Sequence, residues 1–203
     1  MPKYNAINRQ GSDTPEDRQF VQQSINFSMR ARGAVSRAAE AKQVSVSSIY
    51  DTALLVMADL SDQEQVEVMR SMGRLTEDEA EAVRAHLAAP TAPPIGRTYR
   101  AQNPRASYRI INRSQADVPD EERYVLQSVL FSTLAREKAT EAAKRLWVSV
   151  ASWIDAALLF FTSYDDAEQV RMMRAKGKLT EDEAAQVQAI LAATRDAPAG
   201  VPA

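Results

Sequence analysis

The chain has 203 residues, of which 45% are hydrophobic and 26% are charged, and its formal net charge is −2. It contains no cysteine and a single histidine, His86, which excludes disulfides, cysteine-ligated metals and multi-histidine metal sites. It also lacks glycine-rich phosphate loops and a Gly-x-Ser-x-Gly motif, so we predict that the protein is not an enzyme and uses no cofactor or metal.

The chain contains two copies of one sequence. Residues 4–89 align with residues 108–193 at a constant offset of 104 without a gap, and 41 of the 86 pairs are identical. A repeat of this length indicates a duplicated small domain rather than a solenoid. We therefore predict five segments: a basic N-terminal arm at 1–12, repeat 1 at 13–89, a Pro/Arg-rich linker at 90–107, repeat 2 at 108–193, and a disordered tail at 194–203.

Each copy begins with a predicted helix start and a predicted strand. Pro15 and Pro119 precede acidic residues, a combination typical of a first helical turn, and about two turns are expected to follow. Residues 24–29 then alternate between polar and apolar side chains, which is the period of a half-buried strand. Residues 128–133 match them at the inward positions, but Leu130 replaces Asn26 on the outward face.

The alternation assigns the side chains of the strand to two faces. In the first copy we expect Ile25, Phe27 and Met29 to point inward, and Ser24, Asn26 and Ser28 to point outward. The alternative is one continuous helix from Pro15 to Lys42. The second copy favours that alternative, because its leucines at positions 126, 130 and 134 recur every four residues.

The rest of each copy is predicted to be helical. The alanine-rich segments 32–42 and 136–146 form one helix per copy. Ser45 or Ser47 can cap the next helix of the first copy, whose apolar face carries Ile49, Ala53, Leu54 and Met57. A pair of helices follows, broken near Gly73 or Gly177 and restarted by the capping boxes Thr76–Glu79 and Thr180–Glu183.

This order of elements resembles the ribbon-helix-helix superfamily of the Arc and methionine repressors. The resemblance covers residues 22–58 and 126–162, and it rests on the spacing from Ile25 to Val44 and on the Ser45-x-Ser47-x-Ile49 motif. In that superfamily two chains each contribute one strand to an antiparallel ribbon. The resemblance thus implies a mostly α fold with one short two-stranded antiparallel ribbon, built as a tandem pseudo-dimer with helical extensions.

Under this interpretation strand 24–29 pairs with strand 128–133 and the two copies share one core. The expected core residues are Ile25, Phe27, Ile49, Leu54, Val129, Phe131, Trp153 and Leu158.

The resemblance also implies a binding site for double-stranded DNA. In the superfamily the outward face of the ribbon enters the major groove and its side chains bind base edges. The matching positions are Ser24, Asn26, Ser28, Ser128, Leu130 and Ser132. The start of the second helix would bind a phosphate through Ser45, Val46, Ser47, Ser149 and Val150. These ribbon positions include no arginine or lysine, and Leu130 interrupts the polar run.

The net charge of −2 hides an uneven distribution. Segment 59–89 carries eight acidic and three basic residues, whereas segment 90–116 carries five arginines and no acidic residue. Basic arms with tyrosines before each copy can bind DNA phosphates or the minor groove, although the arginines could equally only solubilise a linker. The arm residues are Lys3, Arg9, Arg97, Arg100, Arg105, Arg109 and Arg113.

The sequence thus predicts a cytoplasmic DNA-binding protein that acts as a transcriptional regulator or as an accessory factor of DNA processing such as conjugative transfer. No membrane partner is expected, because the longest apolar stretch, 156–162, is too short to span a bilayer. The alternative is a helical protein-interaction or structural module that does not bind DNA. Its acidic helical pairs would contact a protein partner, and further self-association is left open.

Overall fold

The computed structural model describes residues 20–88 and 119–196, and these residues form two strands and eight α-helices. A 3-10 turn, Asp120–Glu122, precedes the second strand. In chain order the elements are β1 (Phe20–Ser28), α1 (Met29–Lys42), α2 (Val46–Ala58), α3 (Asp62–Ser71), α4 (Glu77–Ala88), β2 (Tyr124–Ser132), α5 (Thr133–Arg145), α6 (Val150–Ser163), α7 (Asp166–Ala175) and α8 (Glu181–Asp196).

The two strands form one antiparallel ribbon, to which each copy contributes one strand. Ser24 lies opposite Ser128, and the register runs from Phe20 opposite Ser132 to Ser28 opposite Tyr124. Because Ser24 and Ser128 are equivalent positions of the repeat, the ribbon is pseudosymmetric about this pair. A single strand would leave its backbone groups unpaired, so each copy needs the other to complete this element.

The strands begin and end earlier than the sequence predicted. They span 20–28 and 124–132 rather than 24–29 and 128–133, and the continuous-helix alternative is wrong. Met29, expected to point inward, is instead the first residue of α1 and is 41% exposed. The physical reason is the preceding serine: Ser28 has an extended backbone, and its side chain accepts a hydrogen bond from the Ala31 amide, which starts the helix.

The other predicted helix boundaries are close to the observed ones. Ser45 and Ser149 cap α2 and α6, and Gly73 has a φ of 71° after the end of α3. The capping box before α4 is present, since the Thr76 amide donates to Glu79 at 2.8 Å and the Glu79 amide donates back at 3.3 Å.

Two predicted segment ends differ from the structure. The helix start at Pro119 yields only the 3-10 turn rather than two turns, and its counterpart at Pro15 lies outside the described residues. Helix α8 continues to Asp196, so it extends three residues into the segment assigned to the tail. The Pro/Arg-rich linker at 90–107 also lies outside the described residues.

The helices of the two copies pack into one hydrophobic core. Helix α2 contacts α5 and α6 of the second copy, and α1 also contacts α6. All eight predicted core residues are buried. Within the described residues no single helix is long and apolar enough to cross a bilayer; α5 and α6 reach that length only together and are bent by 114°.

A buried hydrogen bond joins the two copies through Gln65, and the equivalent residue of the second copy, Gln169, does not form it. The Trp153 Nε1–H donates to Gln65 Oε1 at 2.9 Å. Gln169 occupies the equivalent place in the second copy, but Ile49 stands where a tryptophan would be, and Gln169 Oε1 accepts no hydrogen bond among the described residues. Both glutamines also donate to a backbone carbonyl, of Leu60 and Tyr164 respectively.

Because of this difference, we expect the same substitution at Gln65 and at Gln169 to lower the free energy of unfolding by different amounts. Gln65→Met removes the acceptor of the buried Trp153 N–H, and leaving such a donor unpaired costs about 1–3 kcal/mol. We expect it to lower the free energy of unfolding by that amount more than Gln169→Met, which loses only the carbonyl contact. Urea unfolding of both variants measures the difference, and equal losses would contradict it.

Candidate nucleic-acid interface

The outward face of the ribbon carries six exposed side chains, none of which is charged. They are Gln22, Ser24 and Asn26 on β1, and Leu126, Ser128 and Leu130 on β2. On the opposite face Ile25, Phe27, Val129 and Phe131 are buried against the helices, as predicted from the alternation, whereas Gln23 and Gln127 nearer the strand starts are half-buried. The ribbon therefore presents a hydrogen-bonding surface with two leucines that are 69% and 42% exposed, at positions 126 and 130.

The register pairs an amide with a leucine at each end of this face. Gln22 lies opposite Leu130, and Asn26 lies opposite Leu126. Between them Ser24 lies opposite Ser128, and the Gln22 Nε2 donates diagonally to the Ser128 hydroxyl at 2.9 Å. Both amides thus lie on β1 and both leucines lie on β2.

Ser28 and Ser132 do not belong to this face, contrary to the prediction. Both are buried, because each ends its strand and turns into the cap of the following helix. Their side chains accept hydrogen bonds from the amides of Ala31 and Ala135, at 3.1 and 3.2 Å. A serine that caps a helix from a buried position cannot reach a DNA base, so these two residues serve the fold.

Each buried serine is bound by an aspartate from the other copy. The Ser28 amide donates to Asp155 Oδ1 of α6 at 2.6 Å, and the Ser132 amide donates to Asp51 Oδ1 of α2 at the same distance. The Ser132 hydroxyl also donates to Asp51 Oδ2 at 3.0 Å. Both carboxylates are fully buried, so these contacts fix the ends of the ribbon to the helical core.

A basic residue accompanies each of these aspartates. The Arg74 guanidinium forms an ion pair with Asp155 and a second one with Glu122 at 2.6 Å. At the equivalent place of the repeat, Lys178 forms an ion pair with Asp51. A charge taken out of water requires such a partner, because its lost hydration is otherwise not replaced.

The pKa values in this cluster reflect burial and ion pairing. Burial raises the pKa of Asp155, and Arg74 and the Ser28 amide offset this only in part. Partial burial also acts to raise the pKa of Glu122, but the hydrogen bonds and charges of Arg74 and Arg30 outweigh it, so that pKa is lowered. For Arg74, burial is outweighed by the charges of Asp155, Tyr124 and Glu122, and the pKa is raised.

The predicted phosphate-binding residues lie at the starts of α2 and α6. The Ser45 side chain accepts from the Ser48 amide at 3.1 Å, and the Ser149 side chain accepts from the Ser152 amide at 3.0 Å. Val46 is exposed, whereas Ser47 and Val150 are half-buried. The first amides of a helix have no intrahelical acceptor, which leaves these positions chemically suited to an anion.

The predicted basic arms all lie outside the described residues. This holds for Lys3, Arg9, Arg97, Arg100, Arg105, Arg109 and Arg113. Within the described residues, a cavity of about 380 Å³ beside the end of β2 is lined by four basic residues of the second copy together with Asp59 and apolar residues. Lys176 pairs with Asp59, Lys178 with Asp51, and Arg174 with Glu181, so this surface is only weakly basic.

The sequence reasoning did not identify Gln22 and Leu126 as part of the face. The alternation gives no signal for them, because Gln22 is followed by Gln23 and Leu126 by Gln127, so polar residues do not stay on one face there. Only the observed strand bounds and register place these two residues on the face. The buried aspartates were also missed. Asp51 and Asp155 are acids at equivalent positions within otherwise apolar helices, and that placement is a signal of a buried polar contact.

In the part of the chain that the structure describes, no three His, Cys, Asp or Glu side chains are grouped so that they could bind a metal ion. His86 is half-buried in α4, and its ring lies against that of Trp147 with a centroid separation of 3.8 Å.

Comparisons with known proteins found no matching family model, no matching curated protein and no matching solved structure.

The two aspartate contacts predict a difference between equivalent substitutions. Asp155→Asn removes one counterion of Arg74, whose side chain is only 1% exposed, and breaking a buried pair costs about 3–5 kcal/mol. Asp51→Asn leaves Lys178, whose side chain is 12% exposed and can extend toward water. We expect the first variant to lose clearly more unfolding free energy in urea; the reverse order would contradict this account.

The opposite pKa shifts of Glu122 and Asp155 predict a dependence of stability on pH. The lowered pKa of Glu122 contributes stability above its ordinary value of 4.5, and this contribution is lost as the pH falls through the folded-state pKa. The raised pKa of Asp155 acts in the opposite sense, because its contribution is lost as the pH rises. Glu122→Gln removes the first contribution and reduces the second only slightly, because the Glu122 charge is the smallest of the causes that shift the pKa of Asp155. Its unfolding free energy should therefore fall less steeply than that of the unaltered protein between about pH 5 and about pH 3.

Urea titrations at several pH values measure this slope. If Glu122→Gln shows the same slope as the unaltered protein, the ion pair between Arg74 and Glu122 does not govern the loss of stability in acid.

Proposed function

We propose that the protein binds double-stranded DNA by inserting the outward face of the ribbon into the major groove. The observation that carries this proposal is the exposed, uncharged face of Gln22, Ser24, Asn26, Leu126, Ser128 and Leu130 on a ribbon whose other face packs against the helices. A two-stranded ribbon fits the width of the major groove, and amides, hydroxyls and apolar side chains are groups that bind base edges. The fold is then a tandem ribbon-helix-helix pseudo-dimer.

Phosphate contacts would come from the helix starts that flank the ribbon. The first-turn amides of α2 and α6 can each donate to a phosphate oxygen next to Val46 and Val150. Such contacts position a protein on the duplex without reading sequence. The basic arms would add electrostatic attraction, which the nearly neutral ribbon does not supply.

This assignment is compatible with a transcriptional regulator or with an accessory factor of DNA processing. In both roles the protein would recognise a defined site and carry out no chemistry itself. The two strands of the ribbon differ in sequence, so the protein is not restricted to palindromic sites, and a site with a direction suits either role.

The proposal is tested by fluorescence anisotropy with a pool of random-sequence duplexes at low and high salt. We expect binding that weakens as salt rises, because phosphate contacts release counterions. Ser24→Ala combined with Asn26→Ala removes two hydrogen-bonding groups of the face and should weaken selection of specific sites by about 10-fold or more.

Gln188→Ala is the matched control, since it removes an exposed amide from α8, which packs on α7 and α1. This variant should bind as the unaltered protein does. Absence of salt-dependent binding to any duplex would refute the proposal. Self-association in the same solutions, abolished by Leu126→Ala, would favour a protein-contact role for the ribbon instead.

A further inference from the structure

The exposed face of the ribbon is divided along its length. One side, on β1, has amides at both ends, and the other side, on β2, has leucines at both ends. The pseudosymmetry exchanges Gln22 with Leu126 and Asn26 with Leu130, so the backbone is symmetric while the chemistry of the face is not. Such a face is complementary to a ligand that also has two chemically different sides.

An A·T base pair has two such sides in the major groove. Adenine presents N7 as an acceptor and N6–H as a donor, which an Asn or Gln amide binds with two hydrogen bonds. Thymine, on the other side of the pair, presents its C5-methyl group, which apolar side chains contact. An amide and a leucine that face each other across the ribbon therefore match the two halves of one A·T pair.

We propose that the ribbon selects a directional DNA site with an A·T pair under each end and both adenines on the same DNA strand. The inference rests on the DNA binding proposed above. A ribbon in the groove runs along it, with β1 nearer one DNA strand and β2 nearer the other. Because both amides are on β1, both adenines belong to one strand, whereas a symmetric ribbon would place one adenine on each strand.

The spacing of the amides sets the distance between the two base pairs. Gln22 and Asn26 are four residues apart, which corresponds to about 13 Å along a strand. This length spans about three to four base-pair steps of 3.4 Å. The central pair, Ser24 and Ser128, lies over the base pairs between them, and serine hydroxyls accept or donate and so tolerate several bases.

The contact within the face leaves Gln22 able to bind adenine. Its Nε2 carries two hydrogens, of which the Ser128 hydroxyl accepts one at 2.9 Å. The second hydrogen and the Oε1 are the pair that adenine requires. Ser128 thus acts as a positioning residue for Gln22.

The first experiment selects sites from a pool of random-sequence duplexes and sequences the bound fraction. We expect two adenines on one strand with the stated spacing. Reversing either pair from A·T to T·A in the selected duplex should weaken binding about 10-fold in fluorescence anisotropy. Replacing the thymine opposite either adenine by deoxyuridine removes one methyl group and should weaken binding about 3- to 4-fold.

The second experiment exchanges the two side chains at one end. The double variant Asn26→Leu with Leu126→Asn moves the amide of that end from β1 to β2, and both positions are exposed, so folding should be unaffected. We expect its preference at that end to change from A·T to T·A, with the other end unchanged. The single variant Leu126→Ala should lose its sensitivity to deoxyuridine at that position only. Thermal unfolding followed by circular dichroism checks that the variants remain folded.

The outcomes separate this inference from the function on which it rests. If the protein binds DNA in a salt-dependent manner but the selected duplexes are palindromic, or have G·C pairs under the two ends of the ribbon, the directional A·T site is wrong. DNA binding itself would then still stand. The same conclusion follows if the exchange variant keeps the unaltered preference. No binding to any duplex would overturn both.

Discussion

The contact between a buried carboxylate and the amide at the end of each strand is the constraint on which the structure depends. Asp155 binds the Ser28 amide and Asp51 binds the Ser132 amide, both at 2.6 Å and both from the other copy. Each contact lies where a strand becomes a helix, so it fixes both the end of the ribbon and the start of α1 or α5. A shift in the ribbon register would leave these carboxylates without their amide partners, which is costly in a buried place.

The two copies preserve these internal contacts, while four of the six residues on the outward face of the ribbon differ between them. The aspartates and the capping serines are identical in the two copies, and the basic partner is Arg74 in one and Lys178 in the other. On the outward face, by contrast, Gln22 corresponds to Leu126 and Asn26 corresponds to Leu130. The constraint acts on groups that must be satisfied inside the core, whereas the outward face carries no such constraint and differs between the two copies.

Much of this arrangement could be predicted from local patterns. The alternation in the ribbon predicted Ile25 and Phe27 as core residues, and the serines and threonines predicted most helix starts, because both signals act within a few residues. The ends of the strands could not be predicted in this way. Ser28 continues the alternation as an outward residue, yet its hydroxyl accepts from the Ala31 amide of the next helix and its amide donates to Asp155, 127 positions away in the chain.

The sequence by itself determined the duplication, most of the helix starts and eight residues of the core, since these depend on periodicity and capping, but it left the strand of each copy and a continuous helix as alternatives. Only the tertiary structure decided which side chains share the outward face and how amides and leucines are paired across it. The reason is that register is set by contacts between the copies, in particular the Ser24–Ser128 pairing and the two aspartate contacts, which join residues about a hundred positions apart. A local sequence pattern cannot identify such a partner, because the group that each aspartate binds belongs to the other copy.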